Sequence, residues 1–84
     1  MNTVWLLIEQ MDYESKEIHS IYSEKPRQLD IIHLLKDSYG YAYEYGVMKD
    51  LATKLCRDNS VRFLDMYTWT LEERAVVDYR SSDV

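Results

Sequence analysis

Cysteine, proline, glycine and histidine are scarce in this 84-residue chain: one Cys, one Pro, two Gly and two His. Each scarcity excludes something. A lone thiol, Cys56, leaves no intramolecular disulfide and no cysteine metal cluster, and it fits a reducing compartment, so a cytoplasmic location is expected. Little Pro and Gly beside a hydrophobic fraction of 46% argues against disorder. Gly40 and Gly46 stand alone and build no phosphate-cradling loop. His19 and His33 have no second ligand three or four residues away, so no metal and no cofactor are expected and both read as structural. No serine sits in a nucleophile-elbow context, and Cys56 falls on the apolar stripe of a helix, so no catalytic residue is expected. No apolar run approaches the ~20 residues of a membrane span. The short run Val4 to Ile8 lacks the basic flank of a signal peptide.

A single domain of this length buries roughly 60–65% of its unfolded surface, which leaves one modest core and no deep cleft. Self-association would add to a small core, and a homodimer is expected. The net charge of −5 is unevenly spread. Residues 9–17 carry Glu9, Asp12, Glu14 and Glu17 against Lys16, and residues 65–84 carry five acids against Arg74 and Arg80. The middle of the chain is near neutral. That balance disfavours direct nucleic-acid binding and suits a partner with a basic surface.

What the chain has in quantity is tyrosine. Tyr39, Tyr41, Tyr43 and Tyr45 occupy alternate positions in a segment that holds the two glycines, Gly40 and Gly46. If extended, all four rings stand on one face and form a recognition surface. The structural alternative is a helix–helix connection with two rings on the core and two in solvent.

Periodicity supplies the elements. Thr3 to Gln10 reads as a central strand and Glu17 to Ser23 as its hairpin partner, with Ile18 and Tyr22 on one face and His19 and Ile21 on the other. Ser23 reads as a helix N-cap, with Pro26 in the first turn and the helix running to Asp37. Its apolar residues Leu29, Ile31, Ile32, Leu34 and Leu35 exceed the ~100° stripe of a surface helix, which implies a second packing partner, the next helix or another subunit. Val47 to Asp58 is the clearest helix. Val61 to Leu71 reads as one strand, with Asp65 among its aromatic residues. Arg74 to Tyr79 reads as a fourth strand after a turn at Glu72-Glu73, with a short helix as the alternative, and Ser81 to Val84 as a loose tail. The fold class is α+β: an N-terminal β-hairpin and two helices on one face of a three- to four-stranded antiparallel sheet, ββααβ(β).

The opening VWLLIEQMDYESKEIHSIYSEKPRQLDIIHLL resembles that of many small uncharacterised bacteriophage and prophage proteins: a short strand, an acidic/Tyr turn, a second strand ending in Ile21-Tyr22-Ser23, then a helix. The late strand Tyr67 to Glu73 is also similar. The resemblance covers about half the chain, departs from it at the tyrosine segment, and implies accessory proteins without known enzymatic activity. It carries over no site residues.

The expected function is therefore a small acidic, non-enzymatic phage-type accessory protein in the host cytoplasm. It would bind and inhibit a host protein with a basic surface, such as a nucleic-acid-handling or defence protein. The candidate contact residues are Tyr39, Tyr41, Tyr43, Tyr45, Asp12, Glu14 and Asp65: carboxylates to meet cations, aromatics as desolvated anchors. An oligomeric module that sequesters a nucleotide by stacking on tyrosine is the alternative, with Arg57 or Arg62 on the phosphates.

Overall fold

A computed structural model of the chain describes residues 3–40 and 42–76. Six elements follow in the order ββααββ: β1 (Thr3–Met11), β2 (Glu17–Tyr22), α1 (Gln28–Tyr39), α2 (Tyr45–Asp58), β3 (Ser60–Phe63) and β4 (Tyr67–Ala75). All strand pairs are antiparallel, in the order β2-β1-β4-β3. The α+β class and the N-terminal hairpin are as the sequence implies.

Both helices cover one face of the sheet. Leu7, Trp69, Leu71, Val61 and Phe63 point to that side and meet Ile31, Ile32 and Leu35 of α1 and Met48, Ala52 and Leu55 of α2. Trp69 is completely buried, and Phe63 meets it edge-on at 5.1 Å between ring centroids. The surplus apolar width of α1 resolves simply. Ile31, Ile32 and Leu35 are buried, Leu34 is half-buried, and Leu29 lies exposed by itself, which is ordinary for a surface.

α1 begins four residues later than its sequence suggests. Its N-cap is Arg27 rather than Ser23, and the Arg27 N–H donates to the Asp30 carboxylate at 2.9 Å. Pro26 explains the delay, since a residue before proline is driven out of the helical region. Lys25 is moreover committed elsewhere. Its ammonium donates to the Cys56 carbonyl at the C-terminal end of α2, a favourable place for a cation, and lies 5.2 Å from the centre of the Trp5 ring. The Cys56 thiol donates to the Pro26 carbonyl, and burial pushes its pKa up, away from reactivity.

The segment 61–71 is two strands, not one. The chain reverses at Leu64-Asp65, both at positive φ (52° and 56°), and Phe63 pairs with Tyr67 across the turn. Asp65 therefore sits at the tip and not on an aromatic strand face. Three contacts hold this strained turn, one local and two long-range. The Leu64 N–H donates to the Tyr43 hydroxyl at 2.8 Å, Arg62 donates to the Asp65 carbonyl, and Arg62 grips Asp12 through two bonds of 2.8 and 2.6 Å. No turn interrupts Glu72-Glu73; β4 runs straight through them to Ala75. The final part of the expected fourth strand and the expected tail, Ser81 to Val84, lie outside the described residues.

β2 also departs from simple alternation. Ser20 pairs with Leu7 and Ile18 with Ile8, so His19 is the extra residue of a β-bulge. Ile18 and Ile21 consequently share the face away from the helices. Tyr22 and Ser20 point to the helix side.

Leu55 has no exposed surface, whereas Lys54 beside it is exposed. Leu55→Ala is expected to cost about 2–4 kcal/mol through lost burial and an unfilled cavity. Lys54→Ala is expected to cost under about 0.5 kcal/mol, because an exposed charge on a helix surface contributes little. Urea melts of the two variants give the comparison, and an inverted ranking would mean that the faces of α2 are assigned wrongly.

Candidate partner-binding site

The tyrosine row does not form. Tyr39 is the last residue of α1 and Tyr45 the first of α2. Tyr39 packs inward against Phe63 at 5.2 Å and Tyr67 at 5.3 Å. Tyr43 is half-buried and accepts from Leu64, while Tyr45 is exposed. Tyr41 lies outside the described residues. The helix–helix connection prevails over the extended row because both flanking helices reach into the segment, and a helix places neighbouring residues ~100° apart around its axis instead of alternately. Asp12 is engaged by Arg62, which holds its carboxyl below the usual range. Asp65 is exposed at the β3–β4 turn, and Glu14 lines a groove between β1, β2 and their connecting loop. The structure does not gather the six of these residues that it describes into one surface.

It gathers a different set. The loop from β1 to β2 bends at Met11–Glu14, where the Glu14 N–H donates to the Met11 carbonyl at 3.0 Å and the Gln10 side-chain amide to the Glu14 carbonyl at 3.2 Å. Tyr13 in this bend is fully exposed and holds φ at 67°, a left-handed conformation that costs most residues ~1–2 kcal/mol. The loop and the strand ends enclose an open groove of about 460 Å³ lined by Glu9, Met11, Tyr13, Glu14, Ser15 and Glu17.

Its charge is one-sided. Glu9 and Glu17 are direct cross-strand partners, and like charges placed so are destabilising. Glu14 adds a third carboxylate. None of the three ion pairs formed among the described residues, Arg57–Asp58, Arg62–Asp12 and Arg74–Glu72, reaches this groove. Neutral donors fix Glu9 from behind. Its Oε2 accepts from the Trp69 indole at 2.8 Å and from the Tyr39 hydroxyl at 3.0 Å. Burial and the neighbouring Glu9 together push the Tyr39 phenol well above its ordinary pKa. The ring of His19, an exposed residue, lies 5.4 Å from Trp69. Among the described residues no three of His, Cys, Asp and Glu converge closely enough to hold a metal ion. No helix of the structure is long and apolar enough to cross a membrane.

The acidic run 9–17 was legible in the sequence, but the roles of Glu9, Glu17 and Tyr13 were not. The available signal was register: a two-stranded hairpin that pairs residue 9 with residue 17 sets two glutamates face to face. No family model, no curated protein and no solved structure matches this chain.

Proposed function

We propose that this protein is a non-enzymatic binding protein that engages and blocks a basic surface of a host protein through the groove at the β1–β2 hairpin. The opposed pair Glu9/Glu17, joined by Glu14 and forming no ion pair among the described residues, carries this reading. A Lys or Arg of the partner entering the groove relieves repulsion that the free protein endures. Tyr13 supports it. An aromatic side chain carried on a strained backbone and burying nothing in its own fold is well placed to anchor another molecule. An anionic nucleotide is disfavoured at the same place, because three carboxylates repel its phosphates.

The test begins with capture of a stoichiometric partner from host lysate at low salt and continues with titration of purified variants. Glu17→Gln is expected to act with opposite signs: it stabilises the free protein by about 0.2–1 kcal/mol and weakens binding, with slower association and a flatter salt dependence. Tyr13→Ala is expected to weaken binding by more than about 2 kcal/mol, mostly through faster dissociation, with an unchanged melting curve. Binding that is indifferent to both changes would remove the groove from consideration.

A further inference from the structure

The face of the sheet opposite the helices is built for contact. Alternation places Val4, Leu6, Ile8 and Gln10 of β1 on it, beside Ile18 and Ile21 of β2, Thr68, Thr70, Glu72 and Arg74 of β4, and Arg62 of β3. Leu6 and Ile8 are only 6% and 7% exposed, yet neither belongs to the core beneath the helices. Ile21 pairs with Leu6 and Ile18 with Ile8, and these two isoleucines are 63% and 57% exposed. Regular alternation would have sent one isoleucine to the helix side. The bulge at His19 brings both to the outer side, so an irregularity in the strand concentrates apolar surface where no described element covers it.

We propose that this face is a self-association surface, occupied by a second copy of the chain through two-fold symmetry. Charge selects the occupant. The hairpin groove is strongly acidic and repels a second copy, whereas the outer face carries neutralised pairs, Arg74 with Glu72 and Arg62 with Asp12. Two such faces meet without net repulsion, and a strongly basic partner gains nothing there. Size allows a small interface. Strands of six, nine, nine and four residues, ~4.8 Å apart with a rise of ~3.3 Å per residue, give a projected face of roughly 440 Å², which suits an interface below the ~800 Å² per partner of the standard size. Ile18 and Ile21, backed by the buried Leu6 and Ile8, form the dry centre, and the threonines and ion pairs of β3 and β4 form the rim. The bulge in the edge strand β2 also impedes edge-to-edge pairing, which leaves the face as the route of association.

Sedimentation equilibrium between about 5 and 100 μM is the test. The native chain is expected to sediment with the mass of two chains at the upper end of that range. Ile21→Glu is expected to sediment as one chain throughout, with an unchanged circular-dichroism spectrum. Should Ile21→Glu fail to fold, the double variant Ile18→Thr/Ile21→Thr keeps the branched strand residues and is expected to raise the dimer dissociation constant at least 10-fold. Leu29→Glu on α1 is the control and is expected to remain dimeric. A native chain that stays single at 100 μM overturns the proposal. So does a dimer that survives Ile18→Thr/Ile21→Thr or dissociates with Leu29→Glu. A single chain whose stability falls with the isoleucine changes points instead to cover by residues 77–84 of the same chain, and equally overturns it.

Discussion

Trp69→Ala is expected to cost about 3–5 kcal/mol, the usual range for truncating a fully buried aromatic side chain. Domains of this size have ~4–13 kcal/mol in total, so the variant should sit at the margin of folding. The indole is wholly enclosed, packs against Phe63, and gives its N–H to Glu9. Two losses therefore combine. A cavity opens at the centre of the core, and a half-buried carboxylate facing Glu17 loses one of its two donors. Trp69→Phe separates them, because it keeps most of the ring volume and removes only the donor. Its expected cost is about 1–3 kcal/mol, the range for an imperfectly satisfied polar group plus a small void. Chemical denaturation followed by the fluorescence of the remaining Trp5 measures both variants. A loss below about 1 kcal/mol for Trp69→Ala would contradict the burial of this side chain.

Tyr39→Ala carries the second large effect, again about 3–5 kcal/mol, and it decides what the tyrosine segment is for. A tyrosine serving only as a contact residue would leave the melting curve untouched. Here the ring is packed among Phe63, Tyr67 and Trp69, and its hydroxyl binds Glu9, so the transition should collapse toward lower temperature. Tyr39→Phe isolates the hydroxyl. The folded phenol is held above its ordinary value near 10, while the unfolded chain ionises there. The stability contributed by the neutral phenol is therefore complete below pH ~10 and is lost as pH rises beyond it. Stability of the native chain should decline above pH ~10 and decline less steeply in Tyr39→Phe. Tyrosinate absorbance should show the Tyr39 phenol ionising above the ordinary range, and the Tyr22 phenol as well, whose pKa burial also raises. An equal decline in both proteins would show that other groups control alkaline stability.

The site illustrates how far composition reaches. An acidic segment at 9–17 is plain from counting residues, and so is the absence of a basic face. Which carboxylates act together is a matter of register. Asp12 and Glu14 looked equivalent, yet the turn sends Asp12 to Arg62 on the outer side and leaves Glu14 in the groove with Glu9 and Glu17. Tyr13 gave no local sign of prominence either. Its exposure follows from the left-handed bend, which no glycine or asparagine advertises.

Local pattern determined the strand β1, its hairpin partner, the helix α2 and the α+β class. An unbroken apolar run, an apolar–polar alternation in pairs and a polar turn each fix a conformation within a few residues. Four features needed the rest of the molecule. α1 starts at Gln28 because Pro26 keeps Lys25 out of the helical region and contacts with the end of α2, about 30 residues away, hold both in place. The strand 61–71 breaks at Leu64-Asp65 because Tyr43, Arg62 and Asp12 hold two residues that would not choose a left-handed turn by themselves. Tyr39 leaves its row because Glu9 and the aromatic core accept it. The bulge at His19 moves Ile21 to the outer face, since pairing with β1 sets the register of β2 from both ends. In each case the deciding contact joins residues far apart in sequence. A local reading weighs conformational preferences of ~1 kcal/mol and has no access to such contacts.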